Sequence, residues 1–281
     1  MTLLPSLLRE LENPNLSVNS RAELCCEAAK ACEYKGEYEK ARKLLGDYWT
    51  RIGEHPKLTG LDQATAGEVL LRAGVLTGAI GSKDQITEAQ ETAKNLIHES
   101  LTIFQASNYR KKIAEAQTEL ALCYSRTGEL NEARDLLNDA LSRLSTHSEV
   151  RAKAVLRLAI VECQSASDSK ALRVLTENAA LFEKINNQTL KGSYHITLGT
   201  ALRHLWESKR RGDFLDRALI EHAAASYHFQ RAEHKCYLAN VEKSTWPHLF
   251  QHQSLRRSTS ALGPSPAHSR EFARRRNCSA S

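Results

Sequence analysis

The chain has 281 residues, 41% of them hydrophobic and only 6% aromatic, enough apolar mass to bury a core and too much for a disordered polymer. Its formal net charge of +6 is concentrated at one end: residues 1–242 carry 32 Lys+Arg against 32 Asp+Glu, while residues 243–281 carry seven basic residues against Glu271 alone, so the basic balance says nothing about the body of the chain. Seven cysteines without a C-x-x-C pair point away from a disulfide framework and from zinc spacing, no run reaches the roughly 20 apolar residues of a membrane span, and the first residues lack the basic start of a secretory signal.

Taken in order, Leu3, Leu4, Leu7, Leu8 and Leu11 fall at helical spacing before Pro14, which predicts a short capping helix within residues 1–20. Ser20-Arg21-Ala22-Glu23 reads as a capping box, so a helix is expected to begin near Arg21. From there the chain repeats. Ala28-Ala29, Cys32, Gly36, Tyr38, Ala41 and Leu45 match Leu120-Ala121, Tyr124, Gly128, Leu130, Ala133 and Leu137 at an offset of 92 residues. Looser copies run from Ala73 to Ala89, from Leu158 to Leu175 and from Leu198 to Ala218, giving five units at a spacing that signals stacked helix pairs. Small residues in each first helix (Ala29, Ala121, Ala159, Gly199) let the second helix approach closely, and the Gly that follows is suited to the left-handed end of a helix. The fourth unit has Ala166 where that Gly belongs, and the second and fifth carry insertions at residues 82–86 and 206–211.

These segments resemble tetratricopeptide repeats, with the copies at 22–45 and 114–140 closest to the pattern and the others degenerate. The resemblance covers about 220 of the 281 residues and implies an all-α, right-handed superhelical solenoid of antiparallel helix pairs over residues 21–242, of the kind found in bacterial regulators. It also implies that the first helix of each pair lines a concave groove that holds a peptide or a helix of a protein partner. Carried over position by position, the groove residues are Lys30, Tyr34, Ser125, Arg126, Arg203 and His204, with Lys30, Arg126 and Arg203 as joint anchors for an acidic peptide. The chaperone-tail clamp of some relatives is not expected, because Cys26 and Lys30 stand where it needs a Lys and Asn pair.

No phosphate-binding loop, H-E-x-x-H, G-x-S-x-G or paired-carboxylate motif is present, so the expectation is a protein-binding scaffold in a signalling or transcription-regulatory setting, without catalytic residues, cofactor or metal. His248 and His252 have i,i+4 spacing but follow Pro247, and that spacing is read as adventitious. A sixth unit begins at Tyr237 and loses its pattern by Pro247. Two readings of residues 243–281 compete: a basic arm for nucleic acid, or the product of a frame shift near residue 243 that leaves an unfinished unit prone to self-association. A cytoplasmic location with reduced thiols and no membrane contact completes the expectation.

Overall fold

The computed structural model describes residues 3–145, 147–234, 237–238 and 241, apart from the side chain of Leu3. Among these the architecture is an all-α solenoid. A leading helix α1 (Leu3–Leu11) is followed by pairs α2 (Val18–Glu33) with α3 (Tyr38–Leu45), α4 (Gln63–Asp84) with α5 (Ala89–Ala106), and α6 (Arg110–Thr127) with α7 (Leu130–Arg143). Next come α8 (Glu149–Gln164) with α9 (Asp168–Glu177), a short bridging helix α10 (Ala179–Lys184), and α11 (Gln188–Lys209) with α12 (Gly212–Arg231). Each helix packs on the next, and the first helices of successive pairs also touch one another, α2 on α4, α4 on α6, α6 on α8 and α8 on α11. That second set of contacts is what makes the array a solenoid rather than a string of hairpins.

The start of α2 differs from the sequence expectation. The helix begins at Val18, and the hydroxyl of Ser17 accepts the Ser20 N–H at 3.1 Å. Ser17 is therefore the cap and Ser20 lies inside the first turn, because Asn19 and Ser20 can be helical once the earlier serine has satisfied an orphan donor.

Close approach within each pair comes from small residues, as the sequence suggests, but several of these contacts are tighter than alanine would allow. Gly74 lies where a Cβ would come 2.6 Å from Ile97 Cγ1, and Gly192 where it would meet the Phe229 ring at the same distance. At Gly81 a Cβ would sit 2.1 Å from that of Ala89, a methyl with no freedom to move aside. The Gly81 backbone accordingly stays inside α4, and the left-handed residue that ends this helix is Gln85, at φ 54°. The same shift occurs in the fifth unit, where Arg210 at φ 54° closes α11 and Gly212 opens α12. Inserted residues lengthen the first helix by a turn and carry its end past the glycine. In the fourth unit there is no insertion, and Ala166 itself takes the left-handed position at φ 54°, equivalent to Gly36 and Gly128 in the first and third.

The last described residues continue the pattern. Leu238 and Val241 pack with Ala225 and Phe229, so a helix face is laid against α12 where a sixth unit was expected to start, while Ile220 and Tyr227 of α12 remain exposed. The loss of repeat pattern at Pro247 and the basic residues 243–281 fall outside the described residues.

Two substitutions should act in opposite directions. Gly81→Ala forces a methyl into the α4–α5 contact and should lower stability by about 1–3 kcal/mol, whereas Ala166→Gly relieves a left-handed alanine and should raise it by roughly 0.5–1 kcal/mol. Urea denaturation followed by circular dichroism measures both.

Candidate functional site

The inner faces of α2, α4, α6 and α8 bring charged side chains together at regular helical spacing. Lys30 and Glu33 come from α2, Glu68 and Arg72 from α4, Lys112, Glu115 and Glu119 from α6, and Lys153 and Arg157 from α8. Such i,i+3 and i,i+4 sets place like positions on one stripe of each helix. Here the stripes face one another.

Arg72 is the hub, and its side chain is fully buried. Its guanidinium lies 2.7 Å from Glu33 Oε2, 3.1 Å from Glu115 Oε1 and 3.3 Å from Glu68 Oε1, so one cation ties α2, α4 and α6. Lys30 pairs with Glu115 and Lys112 with Glu68 around the same hub. One step along, Glu119 accepts from Arg157 at 2.6 Å and Lys153 at 3.0 Å, which ties α6 to α8.

These pairings decide the protonation states. Burial alone would raise the Glu115 carboxyl, but Arg72, Lys30 and Lys112 outweigh it and hold it at about 2. Glu119 behaves alike, with Arg157, Lys153 and Arg72 overriding burial and driving its carboxyl well below the usual range. Glu33 goes the other way. Burial raises it more than Arg72 lowers it, and its Oε1 has no hydrogen-bond partner among the described residues.

The facing sides of α2, α4, α6 and α8 are consequently tied together by ion pairs. The solenoid also curls far enough for its ends to meet: Thr189 Oγ1 at the start of α11 donates to the Tyr34 carbonyl at 3.1 Å, and Gly36 lies against the His234 ring. Free space remains as a cavity of about 230 Å³ bounded by Tyr34 and Tyr38, by Val75 and Gly78 of α4, by Leu122 and Arg126 of α6, by Leu156 and Ile160 of α8, by Leu190, and by His234 and Tyr237. The Lys153 ammonium lies 4.8 Å above the Tyr34 ring at one edge.

Arg126 is the unusual member of this wall. Its Nη1 donates to the Gly78 carbonyl at 2.9 Å, and among the described residues no carboxylate pairs with it. The close backbone approach explains part of this, since Gly78 presents no side chain between its carbonyl and the guanidinium. Burial, reinforced by the neighbouring Arg157 charge, pushes the Arg126 guanidinium below its ordinary value. Glu33 and Glu119 line the same cavity, the first paired with Arg72 and the second with Arg157 and Lys153. Arg126 is the cation of this wall that makes no ion pair among the described residues.

Of the six residues expected to line the groove, Tyr34 and Arg126 meet in this cavity. Lys30 is held in the Arg72 network, Ser125 is buried and donates to Gln164 at 2.6 Å, and Arg203 pairs with Glu207 on its own helix. The three basic residues expected to act jointly are thus separated, two of them already neutralised. His204 lies elsewhere, 2.8 Å from Asp168, beside a second cavity. Glu119, Lys153 and Arg157 were not among the expected residues, since a buried carboxylate on α6 and an i,i+4 basic pair on α8 look in sequence like any solvated helix face.

No family model matches the chain, and no curated protein matches it. Among solved structures, the chain is similar to the crystal structure of BtubC (BKLC) from P. vanneervenii, with 16% identity, a TM-score of 0.54, and coverage of 79% of this chain and 87% of that one. The likeness is one of fold. No described helix is long and apolar enough to cross a membrane.

Arg72→Ala leaves the buried carboxylates of Glu33 and Glu115 and the partly buried one of Glu68 without their shared cation and should cost about 3–5 kcal/mol. Lys40→Ala, which removes a 3.4 Å pair between two roughly half-exposed side chains, should change stability by less than about 0.5 kcal/mol. Acid titration tests the same network. Glu115 and Glu119 have folded values below their unfolded value of 4.5, so their contribution is complete above about pH 4.5 and is lost as pH falls towards 2. Glu33, raised on folding, offsets part of that loss. Denaturation midpoints measured between pH 7 and 2 should therefore hold above pH 5 and fall steeply below it.

Proposed function

We propose that this chain is a protein-interaction scaffold of the tetratricopeptide type that captures an acidic peptide segment, its carboxylate seated on Arg126 and its apolar neighbours against Tyr34, Tyr38, Leu122 and Ile160. The observation that supports this reading is a solvent-reachable guanidinium at the wall of a mainly apolar cavity, bonded to the Gly78 carbonyl and making no ion pair among the described residues. A guanidinium has five donors, and a carboxylate satisfies two of them at once in the fork geometry.

Cavity size sharpens the expectation. About 230 Å³ admits one or two side chains and not a helix threaded along the whole groove. The partner therefore presents a short anchor, an acidic residue beside a large apolar one or a carboxyl terminus preceded by one. An enzymatic reading has less support, because the perturbed carboxylates Glu115 and Glu119 are neutralised by fixed cations and serve packing.

Selecting a random peptide display library on the full chain should enrich such anchors. Arg126→Gln should then weaken the selected peptide at least about tenfold, the loss expected for a charge-assisted hydrogen-bond pair, and Arg203→Gln should leave it unchanged. Peptides that bind equally to the Arg126→Gln variant would refute the anchor.

A further inference from the structure

The turn between α8 and α9 holds a second set of chemistry-bearing side chains, away from the Arg126 cavity. Cys163 stands next to the last residue of α8, Asp168 opens α9, and His204 reaches them from α11. The left-handed Ala166 folds the chain back here, with the Ala166 N–H on the Cys163 carbonyl at 3.1 Å and the Ser167 N–H on that of Glu162 at 2.8 Å, which brings residues 163 and 168 side by side. One sulfur, one carboxylate oxygen and one imidazole nitrogen, all half-buried, lie within 4.8 Å of one another. Asp168 Oδ1 is 2.8 Å from His204 Nδ1.

We propose that Cys163, Asp168 and His204 form a binding site for one zinc-class divalent cation, with three protein ligands and a fourth position open to the neighbouring cavity.

The donor set selects the class of ion. Thiolate and imidazole are ligands of zinc and its borderline-soft neighbours, whereas magnesium and calcium take oxygen-only shells. The charge also balances, since a thiolate and a carboxylate offset a dication in a half-buried setting. Zinc-to-ligand distances of about 2.0–2.3 Å place tetrahedral ligand atoms roughly 3.2–3.8 Å apart, so Asp168 and His204 need separate by only about half an ångström. The open position faces a cavity of about 250 Å³ walled by Ile160, Ile196, Thr197 and Thr200.

An ordinary structural role explains part of the cluster. A carboxylate in the first turn of α9 is favoured by the helix dipole whatever it binds, and a His–Asp pair is a common interhelical contact. The thiol is hydrogen-bonded to the same Asp168, and what a structural role does not require is that all three donors meet beside an open cavity. Burial first, and then the adjacent Asp168 charge and hydrogen bond, pushes the Cys163 thiol up to about 12.

The full chain, stripped with a chelator and dialysed, should be titrated with Co²⁺. The site should give visible ligand-field bands of tetrahedral strength and a near-ultraviolet thiolate-to-cobalt charge-transfer band, saturating at one equivalent per chain and reversed by Zn²⁺. Cys163→Ser should abolish the charge-transfer band, and Asp168→Asn and His204→Gln should each weaken binding at least tenfold. Cys123→Ser, in a separate buried cluster, should leave the spectrum unchanged. Circular dichroism establishes that each variant is folded, and the two polar variants carry the test if Cys163→Ser does not fold. No charge-transfer band in the parent chain, or a band that survives Cys163→Ser or both polar substitutions, overturns the proposal.

Discussion

Arg72 sets the shape of this solenoid. A guanidinium without solvent contact is a large desolvation cost, and it is offset only by placing several carboxylates around it at once. Glu33, Glu68 and Glu115 do so from α2, α4 and α6, and each of the three helices is thereby held at one register and one distance from the other two. An apolar inner face of the same volume would pack at least as tightly, but it would tolerate sliding by a turn, since leucine meets leucine after every shift of that kind. Charge pairs do not tolerate it. The network is an argument about which arrangement is populated more than about how stable it is.

Curvature follows from the same contact. Carboxylates drawn onto one cation pull the first helices together on the concave side, while the second helices keep the spacing that their side chains require. The result is a tight coil in which the α2–α3 turn reaches α11, with Thr189 bonded to the Tyr34 carbonyl 155 residues away in sequence. Closure turns what would be an extended groove into a small cavity, and it places Tyr34, from the first unit, opposite Ile160 and Leu190 from the fourth and fifth. Arg126 is left facing that cavity because the nearby carboxylates Glu33 and Glu119 are committed to Arg72, Lys153 and Arg157.

How much of this can be read from the sequence depends on the range of the interaction. Helix pairs, their small-residue seams and the left-handed Gly36 and Gly128 are local, and a single unit displays them. Ala166, Gln85 and Arg210 take the same left-handed role without being glycine, because the strain of one residue is outweighed by the packing of the helices on either side. The ion-pair stripe is invisible locally. Lys30 and Glu115 are 85 residues apart, and in its own helix each has the look of a solvated surface residue. Treating Lys30 as a free anchor was the natural reading of α2 alone, and the third unit's Glu115 is what neutralises it. Arg126 survives as an anchor for the converse reason: the residue it meets across the seam is Gly78, which brings a backbone carbonyl where a carboxylate would have closed the site.

The two sites share a wall. Ile160 borders both the Arg126 cavity and the space beside Cys163, Asp168 and His204. Their chemistry differs because Arg157 and Lys153, one and two turns before Ile160 on α8, turn to Glu119, while Cys163, just under a turn after it, faces α9 and α11. A single helix thus contributes paired cations to one cavity with its middle and a thiol to the other with its end, and Ile160, itself exposed, is the apolar surface common to both.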